Sequence, residues 1–521
     1  MLPTESLAQF ARSAGLMTAK RAAGLVTRVL PIPQPSLLVG PDASLRLAEA
    51  IGDFGHRKIL FVTDAVVTRL KLAQPMIAAL EAAGSAVVVF DAVLPDAPLP
   101  VLEAGIARFE AEGCDAIVAF GGGSVMDAAK VIGLAAANGR HPRTLVGYFR
   151  ALRGPVPLYA VPTTAGTGSE VTVAAVISDP EAHRKLVVAD TRIVPRMAAL
   201  DPRLTAGLPR DITAATGMDA LTHAVEAYIG LWGTPTTDRL ALSATGMIFE
   251  HLPRACESGA DLAAREKMAL AATYAGLAFT RANVGYVHAI AHQLGGLYHT
   301  PHGLANAIVL PHALRALLPE AAAKLADLAE RAGVGAAADE PLARAEAFIA
   351  AVEALNVRVG IPTTLAALRE ADIPALARAA AREADFNYPV PRVLRDDELQ
   401  AILRALLPPA PVRTRARKPA RRPAGRANAA AGTTTTTATQ TNSKPTAEAP
   451  RRRRSAPPRT AASTPAAVAT AEAPPATEAR PTEPARSARP RRSAQPRARA
   501  GAATAATAAS DATAGAEVAP E

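Results

Sequence analysis

Two cysteines in 521 residues, Cys114 and Cys256, cannot form a disulfide framework, and neither has a CxxC or other metal-type partner. That scarcity fits a reducing compartment and leaves each thiol as a small core residue. No run approaches the ~18 consecutive apolar residues of a membrane-spanning helix, and no charged segment followed by an apolar one opens the chain. The expected location is therefore cytoplasmic. Residues 1–30 carry Arg12, Lys20, Arg21 and Arg28 against one acid, Glu5, a faint likeness to a mitochondrial presequence; an N-terminal helical arm over 1–34 is the simpler expectation.

The most informative shortage is local. Among Leu, Ile, Val, Met, Phe, Tyr and Trp, residues 408–521 hold only Val412, Val468 and Val518, so this stretch cannot build a core. It holds 20 Lys/Arg against 7 Asp/Glu, a net +13, and with the whole chain at +10, residues 1–407 stand at −3. The basic character belongs to this tail, and a nucleic-acid reading of the whole protein falls away. The tail is expected to be disordered. Its Arg-rich composition, as at Arg451–Arg454, suits weak polyanion binding through counterion release as well as a merely solvated extension. Without Tyr, Phe or Trp it lacks the stacking groups of single-strand binders.

Residues 35–201 alternate short β-branched runs with Ala-rich helical segments. Lys58–Asp64, Ala86–Phe90, Asp115–Phe120 and Leu158–Pro162 read as buried parallel strands, and 65–83 and 99–112 read as helices. This βαβ pattern predicts an α/β, doubly wound parallel sheet with a ligand at the carboxyl ends of its strands. Residues 202–407 read as an all-helical second domain, interrupted by Pro301, Pro311, Pro341, Pro362 and Pro374, with the boundary in the loop-like stretch that starts at Asp201-Pro202.

Four segments carry chemistry. Gly121, Gly122, Gly123 and Ser124 lie between a strand and a helix, where bare backbone and the helix dipole favour a pyrophosphate; alone, such a triplet is equally a turn. Asp64 ends a strand, where an acid accepts bonds from an adenosine ribose and repels the extra phosphate of NADP, or simply caps the next helix. Val161–Glu170 is a Thr/Ser/Gly loop after a strand, able to line a cofactor or only to tie itself. Asp219 and His223 are four apart, as are His288 and His292, and His302 follows beside a turn. Four of the ten histidines fall between 288 and 302, a density that a solvated face does not explain. Three imidazoles and a carboxylate suit Fe(II), Zn or Ni with room left for substrate.

The motifs at Gly121–Asp127, Pro162–Glu170, Thr216–Tyr228 and His288–Ala307, in this order, resemble the iron-containing (group III) alcohol dehydrogenases over roughly residues 35–407. The resemblance implies a dinucleotide-binding α/β domain, a helical metal-binding domain and a cleft between them. It implies Asp219, His223, His288 and His302 as metal ligands, with His292 near the nicotinamide end; as an imidazole in that place, His292 is also the candidate proton relay. Cofactor positions implied are Asp64, Gly121, Gly122, Gly123, Ser124, Thr163, Thr164, Ser169 and Lys185, with Asp127 nearby and Asp96 where an Asn is usual. Gln293 replaces a frequent Pro, and His299 adds an imidazole near the metal loop. The expected reaction is hydride transfer between a primary alcohol, a short-chain alcohol or diol, and NAD, assisted by Fe(II) or alternatively zinc, in at least a homodimer. Two alternatives are a dehydrogenase core tethered to a polyanion by the tail and a dehydroquinate-synthase-like NAD/metal lyase. The lyase needs many basic side chains for a phosphorylated substrate, and the window 211–310 has few.

Overall fold

The computed structural model describes residues 4–182, 184–336 and 339–409, with side chains from residue 13 onward. The expectations of disorder and polyanion binding for the tail concern residues outside the described ones. The N-terminal arm is one helix, α1 (Thr4–Val29). After it come β1 (Ser36–Val39), α2 (Ala43–Asp53), β2 (Lys58–Val62), α3 (Ala65–Arg69), α4 (Gln74–Ala82), β3 (Ala86–Phe90), α5 (Leu99–Glu112), β4 (Ala116–Gly121) and α6 (Gly123–Asn138). The α/β part closes with β5 (Gly147–Tyr148), β6 (Leu158–Pro162), β7 (Ala174–Asp179), β8 (Arg184–Ala189) and β9 (Met197–Leu200).

Six of these strands form one parallel sheet in the order β1-β9-β6-β4-β2-β3. Alternate residues of its strands feed two separate cores. Leu60, Val62, Ile117, Ala119, Leu158 and Ala160 face the side covered by α5 and α6. Ile59, Phe61, Val118, Phe120, Tyr159 and Val161 face the side covered by α2 and α4. Burial on both faces is why these strands read as unbroken apolar runs. From β2 the chain moves to β3 on one side, then returns through α5 to β4 on the other, so the crevice outside the ends of β2 and β4 is a topological switch point.

The strands β1, β5, β7, β8 and β9 were not expected from the sequence: β1, β5 and β9 are only two to four residues long, and β7 and β8 mix polar or charged residues with apolar ones instead of forming the unbroken apolar runs of the central strands. A second, three-stranded sheet, β5-β8-β7, contains an antiparallel β7/β8 pair, so the α/β part is not wholly parallel.

Helices follow: α7 (Pro202–Thr205), α8 (Arg210–Ile229), α9 (Pro235–Glu257), α10 (Leu262–Ala282), α11 (Tyr286–Tyr298), α12 (His302–Arg331), α13 (Pro341–Val359), α14 (Ile373–Asn387) and α15 (Asp396–Ala405). The stretch from Asp201 is not a plain loop. Asp201 accepts from the Arg203 amide to cap α7 and from Ser44 Oγ at 2.8 Å, which ties α7 back to α2. Pro311 does not interrupt a helix either; with Pro319 it lies inside α12. Each proline forfeits a backbone hydrogen bond, but α12 buries Leu310, Leu314, Leu317, Leu325 and Leu328 in the helical core, which outweighs the local cost. Pro301, Pro341 and Pro374 stand at helix starts, where the missing N–H costs nothing. Cys114 and Cys256 are buried free thiols. Among the described residues no helix is long and apolar enough to cross a membrane.

Candidate active site

α8 is the central helix of the second part, buried almost without interruption from Gly217 to Ile229. Its 3.6-residue period places Asp219, His223 and Glu226 on one face. Gly303, the second residue of α12, packs directly on the α8 backbone at Ala215, and a Cβ there would collide with that carbonyl. The close approach brings His302, the first residue of α12, to 3.5 Å from Asp219 Oδ1. His288, near the start of α11, completes the group: one ligand atom from each of Asp219, His223, His288 and His302 lies within 4.8 Å of the others.

This cluster fits a divalent cation by its own chemistry. Burial pushes the His288 and His302 imidazoles well below their usual pKa, so both are neutral ligands. Burial would raise Asp219, but the neighbouring imidazoles of His223, His302 and His288 outweigh it and hold the carboxyl below the usual range. His223 Nδ1 is buried with no hydrogen-bond partner, a lone donor atom of the kind a metal takes up. The His223 ring stacks on Phe279 at 4.3 Å between centroids, which fixes its plane.

Three side chains that hold this centre escaped the sequence reading. Glu226 accepts from His288 Nδ1 at 2.6 Å and from the amides of Gly285 at 2.9 Å and Val287 at 2.7 Å. That leaves His288 Nε2, which Asn306 Nδ2 approaches at 3.2 Å, as the ligand atom turned to the cluster, the usual device for fixing a metal-binding tautomer. Burial lifts Glu226 to about 7 despite these donors. Asn306, fully buried one turn after His302, donates to Asp219 Oδ1 at 2.7 Å. Glu383 accepts from His292 Nδ1 at 2.6 Å, Gln293 Nε2 at 2.7 Å and Tyr388 Oη at 2.5 Å. Burial pushes Glu383 up, but these partners win and hold it below the usual carboxylate range. Glu226 was legible as the third residue on the Asp219/His223 face; Glu383 and Asn306 had no comparable spacing signal.

His292 lies beside the cluster, its ring stacked on His302 at 5.4 Å. His299 does not join it: the residue is exposed and adopts the left-handed conformation (φ 54°) that ends α11.

The cluster opens into a cleft of about 2580 Å³ that continues over the sheet's switch point. Drug-sized pockets run to roughly 300–1,000 Å³, so this one accommodates a dinucleotide and a substrate together. Asp64, Asp96, Gly122, Gly123, Ser124, Asp127, Thr163, Thr164, Ser169 and Lys185 all line it; Gly121 lies just behind, as the last residue of β4. Asp64 does cap α3, its Oδ1 accepting from Val66 at 2.8 Å and Val67 at 3.0 Å, and its carboxylate also borders the cleft, so both readings of this residue occupy one place. Gly123 is needed for packing, since a Cβ would stand 2.7 Å from Thr167 Cγ2, whereas Gly122 leaves its backbone open. Asp96 holds Lys185 Nζ at 3.0 Å, and its amide donates to Ser124 Oγ at 3.1 Å.

Asp127 and Ser169 are tied inward. Asp127 accepts from Ser169 Oγ at 2.6 Å and the Val176 amide at 2.9 Å. Lys130, fully buried, donates to Ser169 Oγ, Thr172 Oγ1 and Ala174 O at 2.8–2.9 Å. Burial pulls its pKa down to about 8, against the opposing pull of Asp127. This network fixes the loop over which the cleft runs.

A buried His₃/Asp cluster opening into a cleft at a dinucleotide-type switch point fits an enzyme that uses a metal and a nucleotide together. Two family models match the chain: iron-containing alcohol dehydrogenase over residues 34–202 and the C-terminal part of the Fe-containing alcohol dehydrogenase family over 213–407. The chain belongs to the iron-containing alcohol dehydrogenase family. It is 42% identical to a 1,3-propanediol dehydrogenase of Klebsiella pneumoniae, over 70% of this chain and 95% of that one. It is 38% identical to an NAD-dependent methanol dehydrogenase of Bacillus methanolicus (72% and 98%) and 40% identical to a lactaldehyde reductase of Escherichia coli K12 (66% and 90%). The solved structure of a 1,3-propanediol oxidoreductase superposes with a TM-score of 0.71 at 40% identity, covering 73% of this chain and all of that one. The lyase alternative finds no support in these matches.

Proposed function

We propose that this protein transfers hydride between a primary alcohol, a short-chain alcohol or diol, and NAD, and reduces the corresponding aldehyde in the reverse direction. The observation that carries the reading is the convergence of Asp219, His223, His288 and His302 at the inner end of the cleft. These four would hold Fe(II), the ion of the family's name, and their donor chemistry also accepts zinc. A bound ion supplies Lewis acidity toward an alcohol or carbonyl oxygen.

The remaining work falls to the chain. In this reading residues 35–201 hold NAD and residues 202–407 hold the metal. Gly121, Gly122, Gly123 and Ser124 take the pyrophosphate at the α6 N-terminus, and Asp64 takes the adenosine ribose and disfavours NADP. Thr163, Thr164 and Lys185 border the cofactor, with Asp96 steadying Lys185, while Asp127 acts by holding Ser169. His292 donates Nδ1–H to the Glu383 carboxylate, which leaves Nε2 to receive the alcohol proton and pass it outward. The reading includes a cytoplasmic location and a homodimer or larger homo-oligomer.

The test is NADH formation by protein stripped of metal and reloaded anaerobically with Fe(II) or Zn(II), using methanol, 1-propanol and 1,3-propanediol. Metal-dependent NAD reduction by at least one alcohol is expected; NAD binding without turnover under any metal would refute the reading.

A further inference from the structure

Helix α1 precedes the family-matched region, which starts at residue 34, yet it is built into the active-site part of the molecule. Three sets of bonds hold it there. Lys20, buried, donates Nζ to the carbonyls of Ala384 at 2.7 Å, Asp385 at 2.9 Å and Tyr388 at 2.6 Å, a cation closing the C-terminal end of α14. Trp232 Nε1 donates to Lys20 O at 2.7 Å, and Gly24 packs so closely on the same indole that a Cβ would stand 2.8 Å from Cδ1. Arg281 donates to the terminal carbonyls Thr27 O, Arg28 O and Leu30 O.

These anchors sit next to the chemistry. Arg281 is two residues beyond Phe279, which stacks on His223, and the α14 end that Lys20 closes carries Glu383, the partner of His292. Thus fixed, α1 and the segment after it turn Val26, Leu30 and Ile32 onto the same cleft that Trp232, Phe279 and Phe386 line. Val26 is 65% and Phe386 84% exposed, apolar surface left uncovered at the cavity wall.

We propose that α1 is a specificity wall of the substrate channel: Val26, Leu30 and Ile32, with Phe386, receive the apolar chain of an alcohol longer than the two or three carbons that the metal end alone needs. The proposal rests on the alcohol dehydrogenase reading and widens it: short-chain alcohols and diols use the metal end alone, and alcohols with a longer hydrocarbon tail gain affinity from the wall. Each methylene buried against this wall raises affinity about fourfold.

The experiment uses the full-length protein and Trp232, its only tryptophan, which touches α1 and lines the cleft. Dissociation constants for straight-chain primary alcohols from ethanol to decanol are read from Trp232 fluorescence, and kcat/KM for the same series with NAD and Fe(II). Val26→Ser and Leu30→Ser are compared with the wild type, and Leu152→Ser, at an exposed residue that does not line the cleft, is the control. Affinity is expected to climb with chain length in the wild type and in the control, and the decanol-to-ethanol ratio to fall about tenfold in the two α1 variants. Equal ratios in all four proteins would overturn the proposal, whether or not NAD is reduced. Loss of chain-length dependence in binding without NAD reduction by any alcohol would support the wall and refute the reaction.

Discussion

Replacing Glu226 by Gln puts the proposed design of the metal centre to a sharp test. The carboxylate accepts three bonds at 2.6–2.9 Å, two from backbone amides and one from His288. A glutamine of the same shape brings one acceptor oxygen and one donor NH₂, so one face of it meets an N–H with another N–H. If His288 Nδ1 loses its acceptor, the ring is free to turn or to change tautomer, and Nε2 no longer aims at the cluster. Loss of such a supporting partner costs ~10–100-fold in metal affinity, about 1.4–2.8 kcal/mol. The unmatched buried donor adds about 1–3 kcal/mol of lost stability. The assay is competition of Fe(II) or Zn(II) against a chromophoric chelator, with thermal unfolding of the metal-free protein in parallel. A folded Glu226→Gln protein that binds metal within twofold of the wild type would refute the tautomer argument.

Four further outcomes are expected. His292→Ala should keep its bound metal but lose turnover most at low pH for oxidation, where the proton acceptor matters; an unchanged pH profile would remove the relay. Asp64→Ser retains a capping oxygen and removes the charge, so NADP should become usable by at least tenfold in kcat/KM at unchanged thermal stability; a drop in stability with no gain for NADP would leave Asp64 as a cap alone. Lys130→Met strands Ser169, Thr172 and the Ala174 carbonyl and should cost about 3–5 kcal/mol by denaturant titration; a loss under 1 kcal/mol would show that the network adds little. Because burial depresses His288 and His302 in the fold, the unfolded chain binds more protons below its own histidine pKa of about 6.5. These two imidazoles therefore cost the metal-free protein stability as pH falls below about 6.5, while Glu226, lifted to about 7, works in the opposite sense over the same range. Melting temperature against pH in Glu226→Gln, which removes that opposing group, should decline from 7 to 5; a flat profile in this variant would contradict the burial argument.

What could be read in the sequence followed the strength of each signal. The central strands Lys58–Val62, Ala116–Gly121 and Leu158–Pro162 announced themselves because burial on both faces makes every residue apolar. β1, with four residues, and β9, reading MAAL, are held by neighbours along the sheet rather than by local propensity. The metal residues were visible because Asp219/His223 and His288/His292 obey helical spacing and His302 stands beside a glycine that a close helix contact requires. Glu383 and Lys20 were invisible: 91 residues separate Glu383 from His292 and 364 separate Lys20 from Ala384, and only the folded chain joins them. The prolines misled in the opposite sense, since Pro311 lies in a helix whose tertiary burial overrides its local preference.

The central claim is that Asp219, His223, His288 and His302 hold one catalytic ion at the end of the NAD cleft. The most direct measurement is anaerobic titration of stripped protein with Fe(II), following bound metal and NADH formation together in the wild type and in His302→Ala. Activity should rise in step with bound iron to one ion per chain, and His302→Ala should lose both by at least a hundredfold. Full turnover in the stripped protein, or tight iron binding in His302→Ala with wild-type activity, would contradict the account.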